Sequence, residues 1–180
     1  MTCIVGIVDK KAKRVVIGGD SAGVADSNIF IRKDEKVFKN KDFIIGCTSS
    51  FRMIQLLRFS FNPPKIEREI FEYMCTNFID EVRNCFKNGG YLQKFTDGDE
   101  KGGVFLVGCK DRLFKIDNDF QVAENLNGIN ACGCGQDFAL GALYVLLEED
   151  ISIEDKALKA LEAAEYSSQN VCRPFIIIRN

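Results

Sequence analysis

The sequence predicts an α+β fold in four layers, a sandwich of two mainly antiparallel sheets flanked by helix pairs (αββα). Three observations lead there. The chain's 180 residues, 46% of them hydrophobic, suit a single domain over 1–180, and a chain of this size buries roughly 70% of its unfolded surface without help from disulfides or a structural metal. The elements run as strands, two helices, strands, two helices and a last strand, whereas a doubly wound parallel sheet alternates strand with helix. Finally, Ile4-Val5-Gly6-Ile7-Val8 and Val104-Phe105-Leu106-Val107 are continuously apolar, the pattern of strands covered on both faces.

The first fifty residues read as strands at Cys3 to Asp9, Arg14 to Gly19, Ile29 to Arg32, Lys36 to Phe38 and Phe43 to Thr48, each a short β-branched or aromatic run bounded by charged or glycine-containing turns. Asp9 to Lys13 is the first hairpin turn. The period then changes. Met53, Ile54, Leu56 and Leu57 share a helical face over Ser50 to Phe59, stopped by Asn62-Pro63-Pro64. A second helix is expected over Ile66 to Lys87, with Ile70, Met74, Phe78 and Val82 every four residues and Phe71, Cys75, Ile79 and Phe86 widening the stripe. Gly89-Gly90 ends it, and Thr96 to Gly102 reads as a solvated loop. Strands resume at Gly103 to Cys109 and Arg112 to Ile116 around a tight Lys110-Asp111 turn, and again at Ile129 to Gly133. Ala139, Ala142, Leu143, Leu146 and Leu147 mark a third helix to Glu149. Ser152, with Asp155 three residues on, caps a fourth, and Pro174 to Arg179 is the closing strand.

Composition narrows the chemistry. There is no histidine, so no Ser-His-Asp triad, no Cys-His pair and no histidine-containing zinc site can form. A hydrolytic base must come from lysine, a carboxylate, a cysteine or an α-amino group. The formal charge is −2 and the lysines are interspersed with acids along the chain, so neither nucleic acid nor membrane is expected as a partner. No stretch reads as a signal peptide, which points to the cytoplasm. The eight cysteines stand mostly in apolar runs (Cys47, Cys75, Cys85, Cys109) and read as small buried hydrophobes of a reducing compartment. Cys132-Gly133-Cys134 lacks the second ligand pair of a zinc site, and no cofactor is expected.

Three residues can carry a reaction together. Thr2 is small enough for methionine aminopeptidase to remove Met1, which places a hydroxyl and a free α-amine on one residue, and an α-amine titrates near ~8, low enough to serve as a local base. Asp20 follows Val15-Val16-Ile17-Gly18-Gly19 at the exit of a strand; its plainer reading is a turn cap. Lys36 lies in Lys33-Asp34-Glu35-Lys36-Val37-Phe38; its plainer reading is one charge of a solvated run. The functional reading has Asp20 holding Lys36 so that its ammonium stabilises the Thr2 alkoxide.

The ordered set Thr2-x-Ile4-Val5-Gly6, Val15-Val16-Ile17-Gly18-Gly19-Asp20 and Lys36-Val37-Phe38 resembles the opening of proteasome β subunits and HslV-type peptidases, within the N-terminal-nucleophile hydrolase superfamily. The resemblance implies the same αββα fold, with Thr2 as nucleophile, Asp20 as carboxylate partner and Lys36 as activating cation. It further implies an oxyanion-binding backbone N–H at Ser49, within Ile45-Gly46-Cys47-Thr48-Ser49-Ser50, where family members usually carry glycine or alanine. Gly133-Cys134-Gly135 resembles the family's Gly-Ser-Gly segment, with Cys134 in place of the serine that supports the proton network. Its second supporting carboxylate falls near Glu165 to Ser168, with Glu165 and Ser168 as candidates.

The function implied is that of a threonine-type peptidase subunit acting through an acyl-enzyme, on peptide or unfolded-protein substrates, in a homo-oligomeric ring of six or seven subunits, single or stacked. Phe51, Met53, Phe71, Phe78 and Phe86 are expected to be partly buried between subunits. No Gly-x-x-x-x-Gly-Lys-Ser motif is present, so any unfoldase ATPase is a separate chain. The alternatives are a catalytically silent ring subunit, which Ser49 and Cys134 favour, and an amidase acting on a small molecule.

Overall fold

The computed structural model describes residues 2–25, 28–94 and 100–180. The strands β1 (Cys3–Asp9), β2 (Arg14–Gly19), β3 (Ala22–Ala25), β4 (Asn28–Ile31), β5 (Val37–Asn40) and β6 (Phe43–Cys47) lead into the helix α1 (Phe51–Phe59). A long helical segment follows, made of α2 (Ile70–Tyr73), a π-helical turn at Met74–Phe78 and α3 (Ile79–Asn88). Then come β7 (Gln93–Lys94), β8 (Glu100–Lys101), β9 (Phe105–Cys109), β10 (Arg112–Ile116), β11 (Val122–Glu124) and β12 (Ile129–Gly133), the helices α4 (Gln136–Leu146) and α5 (Ile153–Ser167), and β13 (Ile176–Arg179).

Two sheets dominate, one ordered β12-β1-β2-β13 and the other β11-β10-β9-β6-β5, with small pairs β3-β4 and β7-β8. Every pairing in them is antiparallel. The α+β class expected from element order is met.

The continuous apolar run of β1 is explained by what each side of it meets. Cys3, Val5 and Ile7 join a cluster with Ala139 and Leu143 of α4 and Ala157, Ala160, Leu161 and Ala164 of α5. Ile4 instead joins Val15 and Ile17 of its own sheet and Val37, Ile44, Leu106 and Leu113 of the other. A third cluster packs the five-stranded sheet on α1, α2 and α3 through Ile45, Val107 and Phe114 against Met53, Leu57, Met74, Phe78 and Phe86. Sheet-to-sheet approach is close at Gly46, where a Cβ would come within 2.6 Å of Ile4 Cγ2 and 2.7 Å of Ile17 Cγ2.

The turns follow local chemistry. Asp9 Oδ1 accepts from the N–H groups of Lys11 and Ala12 at 3.0 and 2.9 Å, the side-chain turn that aspartate favours. Ser50 caps α1 by accepting from Arg52 N–H at 3.1 Å, and Ser152 caps α5 by accepting from Asp155 N–H at 3.0 Å while donating to its carboxylate.

The long helical segment departs from expectation in three ways. It starts at Ile70, not Ile66, because Glu69 turns its carboxylate onto the N–H groups of Phe71 and Glu72. It also contains a π turn: residues every four positions drift by about 40° per step around a 3.6-residue helix, and the wider turn at Met74–Phe78 keeps Met74, Phe78 and Val82 all buried. The same turn leaves Cys75 exposed, contrary to its reading as a buried hydrophobe. Met53, Phe78 and Phe86 are covered within the chain, so they are not the surface left for a subunit contact. Helix α4 ends at Leu146 rather than Glu149. Of the loop expected over Thr96 to Gly102, residues 96–99 lie outside the described residues, and Glu100–Lys101 form β8.

Candidate active site

Thr2 precedes β1, Asp20 follows β2, Lys36 precedes β5 and Ser49 follows β6, so both sheets end at one place. Antiparallel pairing forces this: Ile4 stands opposite Gly19, and Val37 opposite Gly46. At that end the Lys36 ammonium donates to Thr2 Oγ1 at 2.9 Å and to Asp20 Oδ1 at 2.8 Å. Thr2, Asp20 and Lys36 are 4%, 2% and 3% exposed. A buried ammonium is costly unless it is paired and hydrogen-bonded, and here it is both.

Asp20 is held from several sides. Its Oδ1 also accepts from Cys3 N–H at 2.9 Å, and its Oδ2 from the N–H groups of Ala22 and Cys172 at 2.9 and 3.5 Å. The carboxylate therefore ties the start of β1, the start of β3 and the chain before β13 to one point.

Cys134 meets Thr2 directly. Thr2 N–H donates to its Sγ at 3.2 Å, and the thiol donates back to Thr2 O at 3.3 Å. On its far side Cys134 Sγ lies 3.9 Å from Ser168 Oγ. Glu165 instead binds Arg173, through its N–H and its side chain at 2.9 Å each. Of the two late candidates, only Ser168 reaches the Thr2 cluster.

Ser49 adopts a left-handed backbone, φ 60°, immediately before the α1 cap. Its hydroxyl accepts from Val104 N–H at 3.0 Å and lies 3.1 Å from Thr48 Oγ1. A pocket of about 80 Å³ opens here, lined by Thr2, Lys36, Thr48, Ser49, Ser50 and Phe51 among others, beside the helix end where partial positive charge gathers.

No model of a protein family matches the sequence, and no curated protein matches it. Solved structures do match. Thiobacillus denitrificans BPH in complex with epoxomicin is similar with a TM-score of 0.80 at 20% identity, over 98% of this chain and 97% of that one. Eukaryotic HslV from Trypanosoma brucei is similar with a TM-score of 0.69 at 19% identity, over 99% and 98%. The fold is shared with HslV. The Gly-1 mutant of Anbu from Hyphomicrobium sp. strain MC1 follows at 0.67 and 14%, over 98% and 80%. The resemblance to HslV-like peptidases expected from the opening residues is thus met at the level of fold.

Within this HslV-type fold, burial pushes the Lys36 pKa below its ordinary value, and the Asp20 carboxylate pulls it back up. Burial raises the Cys3 thiol to about 12, with the Asp20 charge adding to the rise, so Cys3 is no thiolate competitor beside Thr2. The resemblance placed Cys134 in the Thr2 network, but neither the form of its double contact with Thr2 nor Cys172 at Asp20 is written in a local pattern; both depend on strands far apart in the chain. Gly133 makes the first possible. It has φ 100°, and a Cβ there would stand 2.2 Å from Thr2 O. Gly133→Ala is therefore expected to push Thr2 off Lys36 and to lower both thermal stability and any activity of the site, by on the order of 1–3 kcal/mol from the backbone conformation alone; melting temperature and turnover of the variant check it.

Proposed function

We propose that the chain is a threonine-type peptidase subunit, acting once the bond between Met1 and Thr2 is cut. The observation that carries the reading is the buried bridge from Asp20 through Lys36 to Thr2 Oγ1. In this mechanism the freed α-amine takes the hydroxyl proton as Oγ1 attacks the scissile carbonyl, and Lys36 stabilises the alkoxide as it forms. The N–H of Ser49 faces the tetrahedral oxyanion. The amine then returns its proton to the leaving nitrogen, giving an ester on Thr2. Water attacks that ester with the amine again as base, releasing the acid and restoring the hydroxyl. Cys134, in contact with both N and O of Thr2, holds the amine in place.

The same reading takes the chain as a single four-layer αββα domain that self-associates in a cytoplasmic ring on peptide or unfolded-protein substrates, with any unfoldase ATPase supplied by another chain. The outer face of α4 supports self-association: Phe138, Tyr144 and Val145 are 47%, 68% and 70% exposed, with open space at Gly141 between them. No helix among the described residues is long and apolar enough to cross a membrane. The second reading, a catalytically silent ring subunit, is favoured by Cys134, because a thiol is a weaker hydrogen-bond partner than the serine of the resembling family.

Peptide hydrolysis by processed wild type and by Thr2→Ala tests the proposal, since the variant is expected to lose turnover and keep its fold. The pH profile carries the sign of the Lys36 shift. Activity is expected to rise as the α-amine loses its proton near ~8, and to fall again as Lys36 loses its own below the ordinary lysine value of 10.5. A silent subunit hydrolyses nothing at any pH.

A further inference from the structure

Each hairpin that runs away from Thr2 turns at the opposite end of the sheets, and three of these turns carry a lysine in the left-handed backbone region: Lys13 (φ 51°), Lys41 (φ 52°) and Lys110 (φ 53°). Strand register brings the turns together, since Asp9 pairs with Arg14, Asn40 with Phe43 and Phe43 with Cys109. Glycine or asparagine adopts this backbone at least cost; here all three positions are cationic. Lysines that look interspersed along the sequence are thereby gathered on one face.

That face is a groove. A depression of about 570 Å³, lined by Lys13, Arg14, Lys39, Lys41 and Lys110 among others, adjoins one of about 450 Å³ that shares Lys41 and Lys110 and adds Lys65. Among the described residues, Lys13, Lys39, Lys41, Lys65 and Lys110 have no carboxylate partner, whereas several arginines elsewhere are paired, as Arg32 is with Asp34, Arg83 with Glu100 and Arg112 with Glu69 and Glu124. Asp42 is the one acidic side chain lining the two depressions. Their walls include Pro63, Pro64 and Ile66, and the ring of Phe43 is buried.

We propose that this groove binds an acidic peptide segment of a partner protein, in which carboxylates alternate with apolar side chains. Charge complementarity selects an anion, and the proline and isoleucine wall suits aliphatic side chains between the charges. No exposed aromatic ring lines the groove to stack on a base, and its one arginine, Arg14, is engaged with Asp9 and Glu154, which argues against nucleic acid. The groove lies at the far end of the sheets from Thr2, so it binds without covering the pocket there, and the inference stands apart from the peptidase reading.

Fluorescence anisotropy with a labelled peptide of alternating Glu, Asp and Leu tests it on the full chain. Binding is expected, and it should weaken as salt shortens the screening length from about 10 Å at 0.1 M to about 3 Å at 1 M. The triple variant K13N/K41N/K110N places asparagine where the backbone favours it and is expected to bind on the order of tenfold more weakly. K33N/K87N/K159N, with the same loss of charge elsewhere on the surface, should bind as wild type. K39Q/K65Q, at ordinary backbone positions, should weaken binding in the same direction if the first variant melts early. Absence of binding, equal weakening in both triple variants, or tighter binding of inorganic polyphosphate or oligothymidylate than of the peptide overturns the proposal.

Discussion

Lys36→Ala is expected to lower peptide turnover by on the order of 10²–10³, the usual loss when one preorganised electrostatic contact to developing charge is removed. The ammonium stands 2.9 Å from Thr2 Oγ1. The substitution also leaves the Asp20 carboxylate buried with only backbone donors, Cys3, Ala22 and Cys172. Steady-state turnover measured well below the variant's melting temperature separates the catalytic loss from the structural one. Near-native turnover would remove Lys36 from the proposed mechanism.

Asp20→Asn is expected to be the most destabilising single change at the site. It strands the Lys36 ammonium, 3% exposed, without a counterion, and breaking a buried pair costs about 3–5 kcal/mol. For a chain of this size each kcal/mol shifts the melting temperature by about 2–4 °C, so the drop should be on the order of 10 °C. Activity should fall with it. Burial already depresses the Lys36 pKa and Asp20 opposes that pull; without the carboxylate the lysine moves further down and gives up its proton at lower pH. The falling limb of the pH profile should therefore shift to lower pH. A melting curve that overlays wild type would show that the pair does not hold the strand ends together.

Much of this architecture was legible because the strong elements announce themselves. Cys3 to Asp9 and Arg14 to Gly19 are β-branched runs around an Asp9 turn, and the structure has them at those bounds. Weak elements were not legible. Ala22–Ala25 and Val122–Glu124 are short and poor in β-forming residues, and they are strands only because Ile29 and Phe114 lie opposite them. The π turn was written in the four-residue spacing of Met74, Phe78 and Val82, but a straight helix was the simpler reading of it. At the site, the sequence singled out Thr2, Asp20, Lys36, Ser49 and Cys134, and these converge at one end of the sheets. Long-range pairing supplied the rest: Cys172 at Asp20, Ser168 beyond Cys134, and the gathering of Lys13, Lys41 and Lys110 all depend on which strands are neighbours, which no local pattern states.

Mass spectrometry of the chain after incubation with an activated peptide ester and acid quenching, which traps an acyl group on a hydroxyl nucleophile, bears most directly on whether Thr2 is a working nucleophile. The account predicts a mature chain that begins at Thr2, an adduct confined to the peptide carrying Thr2, and no adduct on Thr2→Ala. A chain that keeps Met1 and gains no mass, while melting cooperatively as a folded protein, would contradict it and leave the silent subunit as the correct reading.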